Sequence, residues 1–253
     1  MSNLPALRGP DLEVEIAGLA HAYARANGPV LRLLNRLGDG IERQVTKLPL
    51  PVRDEIGRVA ARALAAAYGA ASVGALAPDV GRNGVMLAAM ASGAVGGAAG
   101  LLGSLAELPV AITMMLHAIR SEALAAGYDP AAPAVRLACL EVFAAGTPLR
   151  ADDGVNTAFL SARLTVAGPT FQKVAARAVE RLAAVVGQKF AAQTVPVIGA
   201  VTGAALNAAY LGYYRELARI RFRLMRLSEV YGPGIVLEAF GKACAVPQVI
   251  EGR

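Results

Sequence analysis

From Pro196 to Tyr214 the chain reads PVIGAVTGAALNAAYLGYY without one charge, and RELARIRFRLMR follows directly. No proline interrupts the combined stretch until Gly232-Pro233, and Pro196 is suited to the first position of a helix. The two segments are therefore expected as one helix of roughly 50 Å, at about 1.5 Å of rise per residue. In that helix Arg215, Arg219, Arg223 and Arg226 fall at steps of four, four and three, which places them in a single stripe. Such a rod has a dry half, which needs apolar neighbours or lipid, and a basic half, which faces water or something anionic.

The rest of the chain leans the same way. Hydrophobic residues make up 55% and charged residues 17%, an apolar balance for a globular chain. Much of that apolarity is alanine and glycine, which gain little on transfer to lipid but allow helices to approach closely. The net charge of +6 makes an anionic partner worth considering. Nucleic acid is the weaker choice, because binding it calls for basic residues interleaved with stacking aromatics, whereas aromatics form 5% of the chain and tryptophan is absent. Cys139 and Cys244 belong to no CxxC pair or Cys/His cluster, which fits a reducing compartment. The opening MSNLPALRGPDLEVEIAG has acids where a secretory signal needs an apolar core, so the expectation is a chain that is not exported.

Helix signals recur along the whole length, with no alternating strand pattern bounded by hairpin turns. The fold class is read as all-α: one multi-helix domain over residues 1–249, with glycine-rich central hairpins and one long C-terminal helix. Asp11 to Asn27, Val30 to Lys47 and Val52 to Tyr68 read as helices closed by Gly28-Pro29, Pro49 and Gly69. Ala134 to Ala145 reads as a short helix, Phe159 to Val166 as part of a helix capped by Asp152 or Asp153, and PTFQKVAARAVERLAAVVG as an amphipathic one from Pro169. The final Ile250-Glu251-Gly252-Arg253 resembles the tetrapeptide recognised by tag-removing proteases and carries no functional expectation.

Asn83 to Ala106 is a second uncharged run, long enough to span a bilayer, with Gly93/Gly97 and Gly96/Gly100 at small-xxx-small spacing. Glu107-Leu108-Pro109 is expected to break it, with Pro109 opening a new helix that ends at Gly127. A helical hairpin turning at Glu107 is the result.

SGAVGGAAGLLGSLAELPVAITMMLHAIRSEALAAGYDP, from Ser92 to Pro130, resembles the first signature region of the EcsC family. VPVIGAVTGAALNAAYLGYYRELARIRFR, from Val195 to Arg223, is similar to that family's second block, in the same order. Residues before about 60 add little to the resemblance. What it implies is context: a bacterial protein whose family takes its name from an operon that also encodes an ABC transporter. A hydrolase role has been suggested for the family, without an established active site.

Two groups of residues are candidate sites. Thr113, His117 and Arg120, at i, i+4 and i+7, make a polar stripe on an otherwise apolar helix, and with Glu107 and Asn207 they could line a polar interior site. Buried without partners, such groups cost several kcal/mol, so the competing reading is a satisfied core network. Arg215, Arg219, Arg223 and Arg226, with Tyr210, Tyr213 and Tyr214 at the apolar-to-basic transition, suit an anionic lipid surface. The competing reading is a solvated face balanced by Glu216 and Glu229.

Enzyme chemistry finds little to work with. His21 and His117 are far apart and no HExxH occurs, so no metal is expected. Neither GxSxG nor SxxK is present, Ser104 has no strand-turn-helix setting, and the glycines at 93 to 100 fit no nucleotide-binding pattern, so no cofactor is expected. The sequence thus points to a non-enzymatic adaptor or regulatory protein, peripheral at the cytoplasmic face of the membrane, docked through its basic helix. Its partner would be an anionic membrane surface or a membrane protein such as a transporter. The alternatives are a hydrolase acting on a lipid or peptide around Glu107, His117, Arg120 and Asn207, and an integral protein in which both uncharged runs span.

Overall fold

In the computed structural model, residues 9–26, 58, 61–62, 81–144 and 196–245 are described. Apart from residues 58 and 61–62, which are helical and exposed, the helices expected between Val30 and Tyr68 lie outside them, as do those expected between Asp152 and Gly187 and the tail from Ile250. The described part is all-α, in six helices: α1 (Gly9–Ala26), α2 (Gly81–Ala98), α3 (Gly100–Ala125), α4 (Pro133–Ala144), α5 (Pro196–Tyr231) and α6 (Pro233–Ala245). Proline opens three of them, where its missing N–H costs nothing and its fixed φ suits the first turn. Gly127 ends the α3 region with φ +86; its N–H reaches Leu124 O at 2.9 Å and that of Tyr128 reaches Ala123 O at 3.0 Å, a Schellman closure. Gly232, φ +87, separates α5 from α6.

The long helix is continuous through Tyr213 and organises the rest. It packs against α2, α3, α1 and α6, with Gly203 and Asn207 at α2 and α3 and Ile220, Leu224 and Leu227 at α1 and α6. Two cores result. One joins α3, α4 and α5 around Ile112, Ile119, Leu140, Phe143, Leu211 and Tyr214. The other joins Leu12, Ile16 and Leu19 of α1 to Ile220, Leu224 and Leu227 of α5 and to Val236 and Phe240 of α6.

The hairpin turns at a different place from the one the sequence suggests. The break comes at Ala99, and Pro109 sits inside α3. Glycine density decides this: Gly96 lies against Glu107, and Gly103 lies against Gly96 and Ala99, so the helices fold back where side chains are smallest. The uncharged run from Asn83 to Ala106 is therefore cut in two. Among the described residues, no helix is long and apolar enough to cross a membrane.

Candidate functional site

At the centre of the described structure, α2 and α5 cross with no side chain between their backbones. A methyl group added at Gly93 would fall on the carbonyl of Gly203, and one added at Gly203 on the carbonyl of Gly93. Asn207, one turn along α5, is 1% exposed. Its amide donates to Ala89 O at 2.9 Å and to Glu107 Oε1 at 2.6 Å. Ser92 Oγ donates to the same carboxylate oxygen at 3.1 Å. Glu107 is 8% exposed, so the cluster joins three helices through hydrogen bonds made away from water, where each is costly to lose. The bonds Asn207–Ala89 and the contact Gly203–Gly93 run in opposite chain directions, which makes α2 and α5 antiparallel.

The polar stripe of α3 is elsewhere. At about 100° per residue, Thr113, His117 and Arg120 lie ~80 to 140° around the helix from Glu107. Thr113 Oγ1 donates within its own helix, to Pro109 O at 2.7 Å. His117 is half-buried, and its carbonyl accepts Ser121 Oγ at 2.9 Å. Arg120 acts on Cys139 of α4: burial pushes that thiol up to about 12, while the neighbouring guanidinium opposes the shift. Of the five residues grouped by the sequence, Glu107 and Asn207 are joined by a hydrogen bond.

The four arginines do share one side of α5, all of them partly exposed, and carboxylates pair with Arg219, Arg223 and Arg226 among them. Arg219 pairs with Glu216 at 2.5 Å and Arg226 with Glu229 at 2.6 Å, both one helical turn away. Arg223 pairs with Glu15 of α1. The hydrogen bond to Glu216 is the main cause that raises the Arg219 guanidinium above its ordinary value. The tyrosines need correction. Tyr214 is 3% exposed and stacks on Phe143 at 5.1 Å between ring centres, so it serves the core and does not reach a lipid surface. Tyr210 is buried too, its phenol held well above its usual range first by burial and then by Tyr214. Tyr213 is partly exposed.

Several residues escaped the sequence reading. Arg221, between two stripe arginines, faces the opposite side of α5, where it is 1% exposed and donates to Glu141 of α4 at 3.1 Å. Its phase on the helix was the available signal. Ser92 was legible in principle as one of few polar side chains in a charge-free run, since a buried hydroxyl must find a partner. Tyr128, which donates to Glu229 at 2.7 Å, carries no local signal. Among the described residues, no group of three or more His, Cys, Asp or Glu side chains is placed to hold a metal ion.

The family model described as the EcsC protein family matches residues 46–227, more than half of the chain, and the chain belongs to that family. No curated protein and no solved structure gives a significant match.

Proposed function

We propose that this EcsC family protein is a non-catalytic adaptor or regulatory protein, peripheral at the cytoplasmic face of a bacterial membrane. The observation that carries the reading is the use made of the polar residues in the two family-like regions. Glu107 and Asn207 bind each other, Ser92 and the Ala89 carbonyl where two backbones touch at Gly93 and Gly203. That arrangement fixes helices, with Glu107 Oε1 taken up by Asn207 and Ser92. The hydrolase alternative draws on the same carboxylate; it requires turnover that Glu107→Gln abolishes while the fold is retained.

Membrane association is supported by the dry half of the molecule, which leaves Leu87 66%, Val95 71% and Val201 70% exposed. The arginine stripe has a secondary part in this proposal. Paired arginines keep side-chain exposures of 42% at Arg219, 40% at Arg223 and 30% at Arg226, so an anionic surface would compete with their carboxylates and add attraction that salt screens. Fractionation of cells producing the protein tests the reading. We expect it in the membrane pellet and released by alkaline carbonate; recovery wholly in the soluble fraction, or retention through carbonate, contradicts a peripheral adaptor.

A further inference from the structure

Among the described residues of α2, the outward side carries no charge. Asn83, Leu87, Ala88, Met90, Ala91, Val95 and Ala98 are its exposed residues, with Leu87 66%, Met90 39% and Val95 71% exposed. The opposite arc, Ala89, Gly93, Gly96 and Gly97, is buried. Turning the helix to bury the aliphatic side chains would bring them to the crossing with α5, where even a methyl group strikes the Gly203 backbone. The glycines therefore lock the aliphatic arc outward.

We propose that this face of α2 is the surface that contacts phospholipid, the helix lying flat with Leu87, Met90 and Val95 in the upper acyl region. The inference rests on the membrane reading above and names its contact. Charge supports lipid as the occupant: the face has no carboxylate to repel anionic headgroups, and the chain as a whole is +6, which draws it toward an anionic surface before apolar contact is made. The face also lacks the tryptophan, tyrosine and arginine side chains that anchor most protein interfaces. It differs from docking through the arginine stripe in its salt dependence, since aliphatic burial survives salt and attraction between surface charges does not.

The absence of tryptophan from the chain supplies the test. Val95→Trp places a single fluorophore on the face, and Val230→Trp, at a site 61% exposed on the last turn of α5, is the control. Each is titrated with vesicles of phosphatidylcholine and of phosphatidylcholine mixed with phosphatidylglycerol, at low and high salt, alongside flotation of the unlabelled protein. We expect the tryptophan at 95 to shift to the blue and to be quenched by brominated lipid, the one at 230 to stay unchanged, and a Leu87→Asp/Val95→Asp double variant, folded by circular dichroism, to partition about tenfold less. Wild-type protein that floats with neither vesicle overturns the membrane reading itself. Wild-type protein that floats while position 95 is unmoved and the aspartate variant floats equally overturns only the assignment to α2. Emission at 95 that is already blue without lipid, or that shifts with protein concentration, shows a protein-covered face and overturns the lipid assignment.

Discussion

Asn207 of α5 holds Glu107 of α3 through a 2.6 Å hydrogen bond, and its second amide hydrogen reaches the Ala89 carbonyl of α2. One side chain thus ties together three helices that glycine has already brought into backbone contact. The two family-like regions are the halves of this one joint, Ser92 to Pro130 contributing Gly93 and Glu107, and Val195 to Arg223 contributing Gly203 and Asn207.

Gly203→Ala is expected to destabilise the fold by about 1–3 kcal/mol or more, the range for overpacking a close-packed site, because the atom in the way is the Gly93 backbone carbonyl. Gly93→Ala should cost a similar amount. Gly18→Ala on α1 is the internal control. A methyl there meets nothing within 4 Å, so the gain in helix propensity should leave the protein unchanged or more stable by up to ~1 kcal/mol. Urea unfolding of the three variants decides the point.

The buried pair Arg221–Glu141, at 1% and 12% side-chain exposure, should respond differently from the surface pairs. Glu141→Ala leaves a buried guanidinium without that partner, and a loss of about 3–5 kcal/mol is expected. Removing Glu229 from Arg226, a pair one turn apart at 30% and 48% exposure, should cost under ~1 kcal/mol in thermal unfolding. Equal effects would show that the interior placement of Arg221 is wrong.

The two thiols differ in access. Burial pushes Cys139 up to about 12 and Cys244 up to about 11, and Cys139 is the more deeply buried. Both should therefore be sluggish toward alkylation near neutral pH in the native protein, with Cys244 labelled first, and both should react promptly in urea. The sign for stability follows from the raised values. A folded state that holds its thiol protons more tightly than the unfolded chain loses stability as pH climbs above the ordinary thiol range of about 8.5 toward 11 and 12. Mass-resolved alkylation and unfolding at rising pH check both statements.

Periodicity and punctuation made α5 readable to the residue at both ends, because proline opens it and Gly232-Pro233 closes it. The same signals placed α1 and α4 within about two residues, the ordinary uncertainty of a helix end. They failed at the hairpin. Pro109 reads as a helix start, but one lost backbone hydrogen bond inside α3 is outweighed by the close packing available when the chain turns at Ala99, and that packing involves a partner helix a hundred residues away. The same limit separates the candidate residues. Spacing alone groups Glu107 with Thr113, His117 and Arg120, whereas only tertiary contact shows that Glu107 belongs with Ser92 and Asn207. Tyr214 and Arg221 are parallel cases: helical phase says which side of α5 each occupies, and α4, which contributes Phe143 and Glu141, determines that the side is buried.

The central claim is that Glu107 and Asn207 act as a joint between helices. A double-mutant cycle tests it most directly, comparing urea unfolding of the wild type, Glu107→Ala, Asn207→Ala and the double variant. If the side chains hold each other as described, each single variant loses about 1–3 kcal/mol and the double loses less than their sum, with a coupling energy of ~1 kcal/mol or more. Additive losses, with coupling indistinguishable from zero, would contradict the account.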